Sequence, residues 1–178
     1  MSQSTLFAQD SHTFMLWGNI DGDLEIENSQ IPAIDVSLYG GFGYFISPSF
    51  VTGLGGNFNF VPKTFLPEKR VQRTIQSGVG VWARYYLPHQ ETGLRWYFAA
   101  NLTPQFERVW GTIDREDFEN RAWVGYAGGG FGFNIPLKPA LWLDCNLHYL
   151  EPISDPGFDV NRRLRLRMGI NGLLSRWK

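Results

Sequence analysis

Between residues 34 and 46 the chain alternates strictly. Ile34, Val36, Leu38, Phe42, Tyr44 and Ile46 take the even positions, and Asp35, Ser37, Tyr39, Gly41 and Gly43 fall between them. A period of two is the mark of a strand with one apolar face and one polar or small face. After Ser47-Pro48-Ser49 the alternation resumes, with Thr52, Leu54, Phe58 and Phe60 set against Gly53, Gly55, Asn57 and Asn59. Residues 36–62 carry no formal charge, and by length alone they qualify as a membrane-spanning helix. Their composition excludes it. Gly40, Gly41, Gly43, Gly53, Gly55, Gly56 and Pro48 lie inside the stretch, and in a helix each Gly costs about 1 kcal/mol and a Pro about 3. The stretch is two long strands joined by a tight turn.

The same unit recurs along the chain. The first strand sets Phe14, Leu16, Ile20, Leu24 and Ile26 against Trp17, Asn19, Asp21, Asp23, Glu25 and Glu27. The fourth sets Ile75, Val79, Val81, Ala83, Tyr85 and Leu87 against Gln76, Gly78, Gly80, Trp82, Arg84 and Tyr86. In the fifth, Leu94, Trp96, Phe98, Ala100, Leu102 and Phe106 oppose Arg95, Asn101, Thr103, Gln105 and Glu107. The sixth, residues 121–135, alternates Trp123, Ala127, Phe131, Phe133 and Ile135 with Tyr126, Gly128, Gly130, Gly132 and Asn134. The seventh opposes Leu141, Leu143, Cys145, Leu147 and Tyr149 to Asp144, Asn146 and His148; the eighth opposes Leu164, Leu166, Met168 and Ile170 to Arg163, Arg165, Arg167 and Asn171. No stretch carries a 3.6-residue apolar stripe. The pattern predicts an all-β chain of about eight strands. Short, proline-marked connections (47–49, 88–93, 136–139) alternate with longer polar links (28–33, 61–74, 108–120, 151–161), which describes an up-and-down meander with two unlike ends.

Which face meets water decides the class. A soluble barrel is apolar inside, whereas a membrane barrel is apolar outside and polar in its lumen. The polar parity here holds Gly, Asn, Ser, Tyr and isolated ions rather than a Lys- and Glu-rich surface. The only lysines, Lys63, Lys69, Lys138 and Lys178, all lie outside the predicted strands. Small residues and paired charges suit a narrow lumen, which in an eight-stranded barrel is just wide enough for side chains. Aromatics fit the two girdles of a membrane barrel: Tyr44, Phe50, Tyr85, Trp96, Phe133 and Trp142 at the short-turn end, and Phe58, Phe60, Phe106, Trp110, Trp123, Tyr149 and Phe158 near the long links. Strands of about ten to fifteen residues meet the roughly 9–11 needed to cross a bilayer.

Composition agrees once the faces are separated. Of 178 residues, 16% are aromatic and 20 are glycine, yet the mean hydropathy is −0.21, as expected when an apolar face and a polar face average out. The balance of 16 basic and 17 acidic residues excludes the basic footprint of a nucleic-acid binder. Lone Cys145 excludes an intramolecular disulfide or a cysteine-based zinc cluster; it sits at lipid parity as a small apolar residue.

With the strand layout in place, "GYFIS" (43–47), "GLGGNF" (53–58) and "VWARYYLP" (81–88) give the chain, from about residue 10 to 177, a resemblance to the small eight-stranded outer-membrane β-barrels of the OmpA/OmpX-like kind, particularly those of the Bacteroidetes. The resemblance implies an outer-membrane location, termini and short turns on the periplasmic side, and longer loops outside the cell. It also implies a terminal aromatic read by the assembly machinery, a part that falls to Trp177. Lys178 follows it, and Trp177 is out of phase with residues 164–170 unless a bulge near Gly172 restores the alternation. Residues 1–10 read as an arm or signal-peptide remnant, with Leu6-Phe7-Ala8-Gln9-Asp10 like the end of a leader, and residues 11–178 as the barrel.

The main candidate constellation is a lumen ionic set: Asp35, Arg84, Arg95, Glu107, Asp144, His148, Arg163, Arg165 and Arg167. Buried charges must be paired, so Glu107, Asp144 and Asp35 are the candidate partners of the three arginines on the eighth strand, in a structural plug rather than an open pore. His148, flanked on its face by Asn146 and Leu150 with no serine nearby, reads as a hydrogen-bonded lumen residue rather than a base; His12 and His89 lie in the arm and a turn. Gly128-Gly129-Gly130 precedes no helix, so it makes no phosphate cradle. The acidic ladder Asp21, Asp23, Glu25 and Glu27 lacks metal-ligand spacing and reads as a solvated face, with divalent-cation bridging to lipopolysaccharide as the alternative. The charged link Asp114, Arg115, Glu116, Asp117 and Glu119 reads as exposed loop.

The expectation is therefore an eight-stranded antiparallel up-and-down transmembrane β-barrel of the outer membrane. It would be non-enzymatic, without cofactor, metal or nucleic acid. Outer-membrane lipid and lipopolysaccharide would be its partners, with proteins engaged through the long loops or periplasmic turns. The alternatives are a lipid-modifying enzyme on the same barrel and a soluble ligand-binding barrel.

Overall fold

The computed structural model describes residues 13–25, 33–65, 70–88, 93–113, 116–154 and 163–174. Eight antiparallel strands follow in chain order: β1 (Phe14–Glu25), β2 (Ala33–Ser47), β3 (Phe50–Phe65), β4 (Arg70–Tyr86), β5 (Arg95–Ile113), β6 (Glu116–Lys138), β7 (Leu141–Pro152) and β8 (Arg163–Leu174). Each pairs with the next, and β1 closes the ring on β8, from Phe14 opposite Leu174 to Asp21 opposite Arg167. Closure leaves no edge strand within the ring, the condition for β-structure to cross a bilayer. The uncharged stretch from 36 to 62 is most of β2 and β3, turning at Pro48-Ser49.

The parity read from the sequence is the parity of the wall. Leu16, Ile20, Leu38, Phe42, Leu54, Val79, Val81, Phe98, Leu102, Phe131, Leu147, Leu166 and Ile170 point outward and are exposed. Asn19, Ser37, Asn59, Gln76, Arg84, Gln105, Glu107, Asp144, Asn146, His148, Arg165 and Asn171 are buried inside. Glycines let rings lie flat against the inner wall. A Cβ on Gly43 would come within 2.5 Å of the Trp82 ring, and Cβ atoms on Gly128 and Gly130 would sit 2.7 and 2.6 Å from the two imidazole nitrogens of His148. The wall is smooth where a lumen ring presses on it.

Three regions differ from expectation. The links at 61–74 and 108–120 are largely strand: β3 runs on to Phe65, β4 starts at Arg70, β5 reaches Ile113, and β6 starts at Glu116 rather than at 121. Beyond the apolar band polar and apolar residues mix on both faces, so alternation fades while main-chain pairing continues. Cross-strand contacts such as Thr112 Oγ1 donating to Asp117 at 2.9 Å help hold the ribbon. At the other end the third turn is Pro139-Ala140. Pro136 lies within β6, past the last residue paired with β5, where a missing N–H is tolerated, and a register shift accompanies it. Finally, β8 keeps unbroken register with β1 and β7 through Gly172, so the bulge expected there is not present; Trp177 and Lys178 lie outside the described residues.

Candidate functional site

Among the described residues the lumen contains several polar clusters and an aromatic layer. The deepest cluster centres on Asp144 of β7, which is fully buried. Its carboxylate accepts from Arg84 Nη2 at 2.9 Å, from the Tyr97 hydroxyl at 2.5 Å and from Asn134 Nδ2 at 2.8 Å. Four strands thus converge on one group. Arg84 is itself only 6% exposed and lies 5.5 Å over Trp82, 5.7 Å over Trp17 and 4.6 Å over Tyr97. A buried ion pair is stabilised when its spare donors and lone pairs are engaged; the neutral donors engage the Asp144 carboxylate, while Arg84 Nη1 meets aromatic rings rather than an acceptor among the described residues.

Nearer the long-strand end, Asn59 Nδ2 donates to Gln76 at 3.0 Å, Gln76 Nε2 donates to Glu107 Oε1 at 2.7 Å, and the Tyr126 hydroxyl donates to the same oxygen at 2.5 Å. Glu107 is therefore held by an amide and a phenol from neighbouring strands. Buried Arg165 donates to Ser37 Oγ at 3.3 Å and to the Tyr39 hydroxyl, and Arg167 stacks 4.0 Å over the Tyr39 ring. His148 Nε2 lies 2.7 Å from Asn101 Oδ1. Asp35 and Arg163 take lumen parity in β2 and β8, but their side chains are outside the described residues, as are those of Asp21, Asp23 and Glu25. His12, Glu27, His89, Asp114, Arg115 and Phe158 also lie outside them.

At the short-turn end the lumen is mainly aromatic and apolar. Met15, Phe45, Val51, Tyr86, Tyr97 and Trp142 pack together, all almost fully buried. Trp142 was expected in the outer girdle. It faces inward, edge-on to Tyr86 at 6.4 Å, because Asp144 two residues on fixes even positions of β7 inside. Arg95 closes this end, donating to the Pro48 carbonyl at 2.7 Å and lying over Tyr86 and Trp142. The rest of the expected girdle at this end is outside, with Trp96 stacked on Phe131 and tilted against Phe133, 5.0 Å from each.

Sequence reasoning missed the neutral partners Gln76, Tyr97, Tyr126 and Asn134 as members of the ionic network, and the aromatic layer altogether. The signal existed, since each stands on lumen parity; apolar Met15, Phe45 and Val51 also stand there. Among the described residues no three His, Cys, Asp or Glu side chains come together as a metal site, and no serine accompanies His148 in a catalytic arrangement.

On the outer face, a polar row tops the apolar band of β4–β6. Glu119 Oε1 accepts from Arg108 Nε at 2.7 Å and from Arg121 Nε at 2.6 Å. Those hydrogen bonds, first from Arg121 and then from Arg108, hold the Glu119 carboxyl below the usual carboxylate range.

A closed eight-stranded ring with an apolar exterior and an ionic interior has the fold of the outer-membrane β-barrels. Comparison with solved structures agrees. The chain is similar to OprG of Pseudomonas aeruginosa (15% identity, 95% of this chain and 99% of that one, TM-score 0.59). It is similar also to the N-terminal β-barrel domain of P. aeruginosa OprF (13% identity, 93% and 98%, TM-score 0.57) and to neisserial surface protein A (14%, 90% and 95%, TM-score 0.57). No family model and no curated protein sequence matches the chain. At these identities the likeness is one of fold.

Proposed function

We propose that this chain is an integral outer-membrane β-barrel with a closed lumen, acting as a structural or interaction protein rather than as a channel or an enzyme. The observation that carries the proposal is the inversion of its faces. Leu164 and Leu166 are 65% and 64% exposed while Arg165 between them is 1% exposed, an arrangement that only a hydrocarbon surround makes favourable. Closure of the lumen is supported by the layer of Met15, Phe45, Val51, Tyr86, Tyr97 and Trp142 under Arg95, with the Arg84–Asp144 cluster beside it. The ionic set acts in this reading as internal bracing. An interaction role is supported by the length of β5 and β6, 19 and 23 residues, which carries the hairpin well past the roughly 9–11 residues that span a bilayer. Outer-leaflet lipid and lipopolysaccharide surround the barrel, and protein partners meet the projecting strands. The Bacteroidetes-type likeness of residues 43–47, 53–58 and 81–88 belongs to the same proposal.

Refolded into detergent or vesicles, the protein is expected to migrate differently on a gel before and after boiling, and to give no stepwise conductance in planar bilayers. Recovery as a monodisperse species without detergent would contradict the membrane assignment. Regular single-channel steps would contradict the closed lumen.

A further inference from the structure

Two features of the outer wall lie one above the other. The upper is the polar row. On β4, β5 and β6 the outward positions are uncharged, and apolar apart from Ser77, up to Ile75, Phe106 and Trp123, and then change to Arg73, Arg108 and Arg121. Cross-strand register sets Arg73 opposite Trp110, and Arg108 opposite Arg121. Arg108 and Arg121 share the single oxygen of Glu119, and their side chains remain 42% and 60% exposed. Arg73 is exposed, and among the described residues no carboxylate is paired with it. Trp110 lies under Arg108, 5.1 Å from its ring centroid, and Trp123, 69% exposed, stands just below, as an aromatic does at a headgroup boundary. Among the described residues three guanidinium groups stand against Glu119 and, one outward position further along β6, Asp117, which accepts from Thr112; the row keeps a net positive charge, and guanidinium binds phosphate in a bidentate fork.

The lower feature is an open groove of about 900 Å³ in the lipid-facing wall, with Gly40, Gly56 and Gly78 in its floor and Phe58, Val79 and Trp123 among its sides. It begins at Ser77, four residues below Arg73 on the same strand, or about 13 Å at roughly 3.3 Å per residue. Glycines thin the wall here, and Pro104 helps line the groove opposite a break in the β4–β5 pairing. The volume is within the range of small-molecule sites, about 300–1,000 Å³.

We propose that the row and the groove form one binding site for a phosphorylated, acylated lipid of the outer leaflet, its phosphates on Arg73, Arg108 and Arg121 and an acyl chain in the groove beneath. This rests on the membrane-barrel reading above. Glu119 competes with the lipid phosphate for two of the three arginines, so the site is tuned below its full charge.

The test is retention of diphosphoryl lipid A by the detergent-released barrel in native mass spectrometry, with phosphatidylcholine and inorganic phosphate as separate probes. Wild type is expected to keep one lipid A in preference to phosphatidylcholine. Affinity should fall about fivefold for each arginine removed in R73Q and R121Q. It should rise in E119Q. G40L should also weaken lipid A binding while leaving inorganic phosphate unaffected, because a Cβ there meets nothing nearer than 3.5 Å and the added side chain enters the groove. Equal retention by wild type and R73Q/R121Q would overturn the proposal, as would weaker binding in E119Q, or phosphate binding matching that of the lipid. Heat-modifiable migration of each variant separates the outcomes. A barrel that inserts but retains no lipid A defeats only this site, whereas a chain that never inserts defeats the membrane reading.

Discussion

Replacing Asp144 by Ala is expected to destabilise the folded barrel by about 3–5 kcal/mol, the range for breaking a buried ion pair from one side. The substitution leaves the Arg84 guanidinium buried among Trp17, Trp82 and Tyr97 with its counter-charge gone, and strands the Tyr97 hydroxyl and the Asn134 amide. Urea titration of protein folded in lipid vesicles, followed by tryptophan fluorescence, measures the loss. Removing both charges in R84M/D144L should cost much less than D144A alone, because no unpaired ion remains. A cost below about 1 kcal/mol for D144A, within the range of exposed pairs, would mean that the pair is bathed in water.

Trp142→Ala is the second large effect, at about 3–5 kcal/mol for deleting a buried aromatic. It removes the ring that packs edge-on to Tyr86 and carries the Arg95 guanidinium, so two of the groups closing the short-turn end lose a neighbour together. Planar bilayers should show a small ionic leak that the parent protein lacks. A destabilised but electrically silent W142A would place the seal at the Arg84–Asp144 level instead.

Strand number, parity and closure were legible in the sequence because the bilayer imposes the same alternation on every strand. Leu164 to Ile170 against Arg165 and Arg167 is its plainest instance, whereas the sequence offered Asp144 as a partner for the arginines of β8 and the structure sets it against Arg84. Three things were not legible, each for a physical reason. The strand ends at Phe65, Arg70, Ile113 and Glu116 lie outside hydrocarbon, where nothing demands alternation and hydrogen bonding alone continues the sheet. Trp142 and Phe45 are apolar on the lumen side, and hydrophobicity by itself does not distinguish a lipid-facing ring from one packed in a plug. Arg73 and Arg108 fell in predicted links and Arg121 at the very start of a strand, until the longer strands gave all three an outward parity and a common height.

The central claim is that the exposed apolar surface faces lipid, and Met168→Arg tests it most directly. Met168 is 53% exposed, stands mid-way along the outward run of β8, and pairs with Ile20 and Cys145. In vesicles the substitution is expected to cost about 2–4 kcal/mol of folding free energy, the figure for arginine on the lipid face near the bilayer midplane. A neutral or stabilising effect, as for an arginine placed on a water-facing wall, would contradict the account.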